Sequence, residues 1–353
     1  MRVAIDVSPL KTGHKFRGIG FYTERLVKAI KKFDKENEYV FIDHRSSVID
    51  HQFDLIHYPY FDLFFLTLPI KKPAPVAVTI HDVIPLVFPE HYPKGLKGWC
   101  KLQRQKLSLK NVRVVITDSQ NSKKDIVKYL GFSKDKIFVV PLAPGEEFRL
   151  IKSTPLLYRI REKYKLPDTF VLYVGDVNWN KNIPGLIKAF KTIERLNNEA
   201  MKLVLVSKAL EDRNLPETKT ILRLIKELGL NNRIKILGFV PTKDLVAIYN
   251  LAAAYCQPSF YEGFGLPVLE AMACGTPVVC SKTSSLPEVV GDAAIFVDPK
   301  DIKSIAQGIK HVIENEEVKE TFRKKSISRA SQFSWKKTAE KTIGVYKKIL
   351  RKQ

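Results

Sequence analysis

Short apolar runs rich in β-branched residues alternate along this chain with longer segments whose apolar residues recur every three or four positions. The first run, residues 2–7, precedes a glycine-bearing stretch and then a segment whose apolar positions from Ile19 to Ile30 share one helical face. Further strands in the first half are predicted at 39–42, 54–57, 76–80, 112–117 and 137–140. This alternation predicts a mostly parallel sheet covered by helices on both faces.

The periodicity stops at residues 141–155, which contain three prolines and a glycine, and we place a linker there. The alternation then restarts, so a second α/β domain is expected. Its strands are predicted at 169–175, 202–207, 233–237, 252–256, 277–280 and 293–297. Two helices follow Asp301, and the last spans 335–351.

Composition fits a two-domain globular protein, because 353 residues with 45% apolar and 27% charged positions exceed one ordinary core. The longest apolar run of the first half, residues 63–70, contains Pro69 and is too short to span a membrane, so a cytoplasmic protein is expected. Cys-x-x-Cys pairs are absent, which predicts reduced, buried thiols. The cysteines are Cys100, Cys256, Cys274 and Cys280.

The formal net charge of +22 indicates a polyanionic partner, although basic residues can also serve solubility alone. Because the chain lacks a recognised nucleic-acid motif, we expect no nucleic acid.

The strongest local pattern is a loop that becomes a helix between two carboxylates, Glu262 and Glu270. Glycines allow close backbone approach in this loop, and the helix predicted at 266–274 is ended by Gly275. Amides at a helix start can hold an anion. A ligand that touches both acids while its phosphates lie on the amides has the layout of a sugar nucleotide.

This stretch, Glu262-Gly-Phe-Gly-Leu-Pro-Val-Leu-Glu270, resembles the signature of retaining glycosyltransferases of family 4. The resemblance implies an α/β GT-B fold, with two Rossmann-like domains facing each other across a cleft. It implies that Glu262 contacts the donor sugar, that Gly263, Phe264, Gly265 and Leu266 hold sugar and diphosphate, and that Glu270 binds the ribose. It also implies an acceptor domain at 1–150, a nucleotide-sugar donor domain at 151–333, and a helix at 334–353 that crosses back to the first domain.

Three other loops gain roles from the resemblance. Gly18 and Gly20 are expected near the donor phosphates and acceptor, although a simple helix-starting turn is an alternative reading. His81-Asp82, directly after a strand, resembles the pair that lines the reaction cleft, with the capping of a strand end as the alternative. Lys181 is expected to contact the diphosphate as the cation of this loop, because Asn180 stands where the family usually has Arg. The alternative is that the Lys181 side chain is simply solvated.

The turn that contains Val240 is expected to meet the nucleobase through main-chain atoms. The base itself therefore leaves no readable trace in the sequence. The stretch from His81 to Leu86 is similar to bacterial mannosyltransferases of polysaccharide assembly. GDP-mannose is accordingly our first donor, a UDP-sugar the second, and a glycan or lipid-linked molecule the acceptor.

Asp-x-Asp and metal-ligand spacings are absent, so the expected chemistry needs no metal and no cofactor beyond the nucleotide sugar. A non-catalytic sugar-nucleotide or polyanion binder of the same fold is an alternative, favoured by Asn180. A nicotinamide-dependent dehydrogenase is another alternative, but the full glycine fingerprint with its following acid is missing.

Residues 91–117 contain seven basic side chains and no acid, interleaved with Leu96, Trp99, Leu102 and Leu107. The segment 64–72 adds aromatic, aliphatic and lysine residues nearby. Segments 64–72 and 94–113 could therefore dock peripherally on an anionic inner membrane face. A solvated basic helix whose aromatic residues belong to the core would show the same pattern.

Overall fold

The computed structural model describes residues 1–13, 18–43, 53–193 and 201–350. The chain divides into two compact units, the first formed by Met1–Ala143 together with Phe333–Gln353 and the second by Pro144–Gln332. The first unit thus ends at Ala143, whereas the sequence prediction places the boundary at residue 150. Within the described residues, no helix combines the length and apolar character needed to cross a membrane.

In the described part of the first unit, a six-stranded parallel sheet has the order β2-β1-β3-β4-β5-β6. Its strands are β1 (Arg2–Asp6), β2 (Glu38–Ile42), β3 (Leu55–Tyr58), β4 (Val76–Thr79), β5 (Val114–Thr117) and β6 (Ile137–Val139). The helices are α1 (Gly18–Phe33), α2 (Ile84–Val87), α3 (Gly95–Leu109), α4 (Gln120–Asp125) and α13 (Trp335–Leu350). The central strands β3, β4 and β5 are buried along their whole length, as expected for parallel strands with both faces covered.

The second unit repeats this architecture, with the described strands in the order β12-β11-β10-β7-β8-β9, all parallel. The strands are β7 (Thr169–Val174), β8 (Met201–Val206), β9 (Ile234–Leu237), β10 (Ala254–Gln257), β11 (Val278–Ser281) and β12 (Ile295–Val297). The helices are α5 (Thr154–Tyr164), α6 (Ile183–Ile193), α7 (Pro216–Glu227), α8 (Thr242–Leu251), α9 (Leu266–Ala273), α10 (Leu286–Val290), α11 (Ile302–Ile313) and α12 (Glu316–Ala330).

The two parallel α/β sheets confirm the predicted fold class, and the strand bounds differ from the sequence prediction by one or two residues. Three local expectations are wrong. Three helices (α11, α12 and α13), and not two, follow Asp301. Helix α1 already begins at Gly18, so Gly18 and Gly20 lie in its first turn and not in the preceding loop. Cys100 is exposed whereas the other three cysteines are buried, because α3 turns residues 102, 105 and 109 inward and Cys100 lies off that face.

The C-terminal helix α13 packs on α1 of the first unit and is anchored by a buried polar network. The Tyr346 hydroxyl lies 2.6 Å from Nδ1 of His57, and Nε2 of the same ring lies 2.8 Å from the Thr79 hydroxyl. The Tyr22 hydroxyl on α1 also contacts Thr79, at 3.1 Å. Burial lowers the pKa of His57 to about 3, so the ring is neutral and each of its nitrogens needs a hydrogen-bond partner.

We expect the Tyr346→Phe variant to lose about 1–3 kcal/mol of unfolding free energy, because it leaves a buried ring nitrogen of His57 without its partner. Urea denaturation followed by circular dichroism measures this loss. The matched control is Tyr158→Phe, which removes an exposed hydroxyl. Equal effects of the two substitutions would contradict the anchoring role of Tyr346.

Candidate functional site

In the second unit, the chain segments that follow β7 and β10 leave the sheet side by side. The two strands are parallel neighbours, so both segments start at the carboxyl edge of the sheet, where open α/β sheets bind ligands. The first segment contains Lys181, and the second contains Glu262 and leads into α9.

Glu262 is a buried carboxylate that receives hydrogen bonds from three side chains. Its side chain is 6% exposed, and Lys181 Nζ lies 2.7 Å and 2.9 Å from its two oxygens. Gln257 Nε2 and Ser259 Oγ donate to its Oε1 at 2.6 Å and 2.7 Å. A buried charge is stable only when paired and hydrogen-bonded, so this shell holds Glu262 as an anion in one orientation.

The segments after β7 and β10 are also joined through two asparagines. The buried Asn180 donates from its side chain to the Tyr261 carbonyl at 2.8 Å and accepts at its own carbonyl from the Phe260 amide. Asn182 has a φ of 54° and donates to the carbonyls of Pro258 and Pro299. Asn180 therefore ties one segment to the other at the place where the family usually has a cationic side chain.

Helix α9 begins at a glycine that the site requires. Gly265 has a φ of 100°, and a Cβ atom there would lie 2.6 Å from a methyl group of Leu286. The amides of Val268 and Leu269 donate to the Gly265 carbonyl, and Pro267 has no amide hydrogen. Within the described residues, the amides of Gly265 and Leu266 donate to no acceptor, so they are available to an anion.

Two serines directly before α10 hold the backbone of this loop. The buried Ser285 hydroxyl contacts the carbonyls of Glu262 and Phe264 at 2.9 Å and 3.0 Å, and the Glu262 amide donates to Ser284 Oγ at 2.8 Å. The backbone from Glu262 through Gly263 to Phe264 is therefore fixed by side chains that the sequence analysis did not single out.

Glu270 lies inside α9 and is 9% exposed. The Tyr249 hydroxyl on α8 donates to its Oε2 at 3.3 Å. Burial, followed by the charge of Glu270, raises the pKa of Tyr249 well above its usual value, so this hydroxyl remains a donor.

The segments after β8 and β9 also leave at the carboxyl edge. Val240 is buried, and the amide of the half-exposed Phe239 before it donates to Glu211 at 2.8 Å. Ser207, directly after β8, is buried, and its hydroxyl has no hydrogen-bond partner within the described residues. The turn that contains Val240 is the one that the sequence resemblance expects at the nucleobase.

In the first unit, His81 lies two residues after the end of β4 and pairs with a residue that sequence reasoning missed. Its Nδ1 lies 2.7 Å from Oδ2 of Asp118, and the edge of the Tyr22 ring contacts the imidazole at a centroid distance of 4.6 Å. Burial opposes protonation of His81, but the charge and hydrogen bond of Asp118 outweigh it and raise the pKa of the ring. Asp82 accepts from the Ile84 amide at 3.1 Å and so starts α2.

The remaining predicted site residues, Gly18 and Gly20, lie at the start of α1, and residues 14–17 are outside the described part. Gly18 is exposed and Gly20 is buried. The missed residues Asp118, Gln257 and Ser259 share one signal: each is polar and lies at, or just after, the carboxyl end of a buried strand.

Two Rossmann-like units, with a fixed carboxylate and available helix-start amides in the second, define a glycosyltransferase of the GT-B class. Residues 158–329 match the family model "Glycosyl transferases group 1", and residues 10–143 match "Glycosyltransferase Family 4". The chain belongs to the group 1 glycosyltransferases of family 4. The family identifies it as a glycosyltransferase with a nucleotide-sugar donor, so the dehydrogenase and the non-catalytic binder are not favoured.

The chain is 33% identical to O-antigen chain mannosyltransferase B of Escherichia coli over 271 residues, which are 76% of this chain and 69% of that protein. It is 29% identical to the serotype-specific mannosyltransferase WbdA of Escherichia coli over 293 residues, or 82% of this chain, and spans only 35% of that protein. Its fold resembles Anabaena Alr3699/HepE in complex with UDP-glucose, with a TM-score of 0.74, 19% identity and coverage of 100% of this chain and 99% of that chain.

We expect the Asp118→Asn variant to lower the pKa of His81, because it removes the charge that most strongly opposes the effect of burial. In wild type the raised pKa contributes stability that is fully present below the unfolded-state value and is lost as pH rises through the folded value. The advantage of wild type over the variant should therefore shrink as pH rises. Histidine NMR titration and urea unfolding at several pH values measure both effects.

The control for this experiment is Glu90→Gln, which removes the carboxylate 3.9 Å from the exposed His91. An unchanged His81 titration in the Asp118→Asn variant would contradict the coupling of the two groups.

Proposed function

We propose that the protein is a retaining mannosyltransferase that moves mannose from GDP-mannose to a glycan acceptor without a metal ion. The observation that carries this proposal is the buried Glu262–Lys181 pair next to the available amides of Gly265 and Leu266. The named activities of the two Escherichia coli relatives support mannose as the sugar.

In this proposal the donor diphosphate lies on the amides at the start of α9, with Lys181 supplying the positive charge. Lys181 Nζ is 2.7 Å from Glu262, yet its side chain is 21% exposed, so it can contact a phosphate oxygen and the carboxylate together. Glu270 binds the ribose hydroxyls, and the turn that contains Val240 contacts the base. Amides and a lysine aimed at the leaving group stabilise the negative charge that develops there.

The transfer itself breaks the bond between the anomeric carbon and the diphosphate oxygen. The acceptor oxygen bonds to the same carbon on the same face, and its proton passes to the departing diphosphate, so the configuration is retained. Glu262 orients the sugar and faces the developing positive charge. Because Lys181, Gln257 and Ser259 already engage its oxygens, the carboxylate is a weak nucleophile, and we propose no covalent intermediate.

For the first unit, we propose that His81 positions a sugar hydroxyl and that Asp118 holds the imidazole in place. The first turn of α1, which contains Gly18 and Gly20, supplies further amides for anionic oxygens of the substrates. We therefore regard His81 as a positioning residue for the reaction and not as its base.

Metal independence rests on the donor set of the protein. Across the part of the chain that the structure describes, no cluster of three or more His, Cys, Asp or Glu side chains could hold a metal ion. The proposed neutralisation of the diphosphate therefore falls to Lys181 and backbone amides.

We further propose that the reaction takes place in the cytoplasm, at the inner face of a membrane, on a lipid-linked glycan. The net charge of +22 supports this location, because the inner leaflet carries anionic lipids.

We expect Glu262→Gln to lower kcat by about 100-fold, because it removes a fixed charge that acts on the transition state. Glu270→Gln should instead raise the donor KM by about tenfold, the effect of losing a hydrogen bond to a charged group. Steady-state kinetics with GDP-mannose separate the two effects. The control is Glu227→Gln, at an exposed position on α7; equal wild-type activity in both site variants would refute the site.

We expect mannosyl transfer from GDP-mannose to proceed in excess EDTA and to give a product with retained configuration at the anomeric carbon, as determined by NMR. GDP should also raise the melting temperature more than UDP or ADP at equal concentration, because a bound ligand stabilises the folded state. Activity that appears only with magnesium or manganese would refute metal independence. Stronger stabilisation by UDP would replace GDP-mannose with a UDP-sugar.

A further inference from the structure

Exposed apolar side chains are concentrated on one face of the first unit. Leu96 is 79% exposed, Phe65 65%, Leu66 51% and Trp99 49%. Together with Ile70 and Leu107 they account for six of the ten exposed large hydrophobic side chains among the described residues. We call this surface, formed by α3 and residues 64–72, the α3 face. Exposed apolar side chains that are concentrated in this way usually mark an interaction site.

Helix α3 separates its residues into an inner side and two outer stripes. The inner side, with Leu102, Gln105 and Leu109, is buried in the first unit. Residues 96, 99, 103 and 107 recur at helical spacing on one outer stripe, and residues 97, 101 and 104 form a basic stripe beside it. The solvated basic helix whose aromatic residues belong to the core does not describe this helix, because Trp99 and Leu96 lie outside the core.

The loop before β4 is fixed against α3, so both belong to one surface. The side-chain amide of Gln105 donates to the carbonyls of Asp62 and Phe65, and Lys72 Nζ donates to the Ser108 carbonyl at 2.5 Å. Lys101 Nζ lies 4.9 Å from the centre of the Phe65 ring. The basic stripe of α3 therefore has apolar side chains on both of its sides.

The charge of this face identifies its partner. Residues 91–117 carry seven basic side chains without an acid. The carboxylate of Asp62, on the neighbouring loop, accepts hydrogen bonds from the amides of Phe64 and Phe65 at 2.6 Å and 2.9 Å. A soluble polyanion would need the cations but would leave Leu96, Trp99 and Phe65 in water. A bilayer with anionic headgroups satisfies both sets of side chains.

We propose that the α3 face is the docking surface for an anionic lipid bilayer. The apolar side chains enter the boundary between headgroups and acyl chains, and Lys97, Lys101 and Arg104 contact the headgroups. Helix α3 begins shortly after His81 and α2, on the side of the sheet where β4 ends. Docking therefore brings this edge of the first unit to the membrane surface. The purpose of docking, the capture of a lipid-linked acceptor, rests on the proposed function, whereas the docking itself does not.

The test is co-sedimentation of the full chain with vesicles of phosphatidylcholine containing phosphatidylglycerol, with pure phosphatidylcholine vesicles for comparison. Wild type should bind the anionic vesicles at low salt and lose most of this binding at high salt. The triple variant Lys97→Ser, Lys101→Ser, Arg104→Ser should lower the partition coefficient by about 100-fold, the combined effect of three cations near the surface. The variant Phe65→Ser, Leu96→Ser, Trp99→Ser should lose binding to a similar extent.

The control for charge is the triple variant Lys219→Ser, Arg223→Ser, Lys226→Ser, which removes three exposed cations from α7 of the second unit. It should bind as wild type does. Absence of wild-type binding at low salt, or unchanged binding in either α3-face variant, would overturn the proposal. A third outcome is that only the basic-residue variant loses vesicle binding and that the apolar variant still binds soluble heparin. This outcome would assign the α3 face to a soluble polyanion and would also overturn the proposal.

Donor hydrolysis measured without vesicles distinguishes this proposal from the proposed function. The α3-face variants should hydrolyse GDP-mannose at the wild-type rate, because none of these residues belongs to the donor site. If wild type fails to hydrolyse the donor but still binds vesicles, the proposed function fails and the docking surface stands.

Discussion

The ion pair between Lys181 and Glu262 is the constraint on which the second unit's site depends. A carboxylate that is almost fully buried would be strongly destabilising alone, so the fold has to surround it with donors. Those donors come from the segment after β7 and from the end of β10, which fixes the two segments to each other. The same fixation sets the path into α9 and requires the left-handed conformation at Gly265. The geometry of the available amides of Gly265 and Leu266 thus follows from how one acid is neutralised.

Much of the fold can be predicted from the sequence, because buried parallel strands and the helices that cover them have different apolar patterns, and these patterns alternate along the chain. Glu262, Lys181 and His81 were also recognisable as candidate site residues, since each follows a recognisable strand. The pairing of Lys181 with Glu262 was not, because the two residues are 81 positions apart and meet only through the sheet order. That order places β10 next to β7, with no local signal in either strand. From the sequence alone, Lys181 is therefore expected at the diphosphate and Glu262 at the sugar, as separate contacts.

Asp118 is a different case. It follows β5, and β5 is adjacent to β4 both in the sheet and among the strands of the chain, so its meeting with His81 could have been anticipated from strand order. The side of α3 that faces the core could not have been anticipated in this way. Leu102 and Leu107 look alike in the sequence, yet Leu102 is buried and Leu107 is exposed, because the inner side of the helix is set by how it packs in the fold. Cys100 is exposed for the same reason, because it lies off the inner side of α3.

The pairing of Glu262 with Lys181 also affects donor binding and transition-state stabilisation differently. Donors aligned in the folded protein need no reorganisation when charge develops during reaction, and their cost is met during folding. Because Lys181 contacts Glu262, a bound diphosphate would share this cation with the carboxylate. Sharing weakens the attraction for the donor in its ground state. In the proposed mechanism, negative charge that grows on the leaving diphosphate is attracted more strongly to the ammonium group, which is already in place. The same lysine fixes Glu262, which faces the positive charge proposed to develop on the sugar, so one side chain would contribute to the stabilisation of both charges.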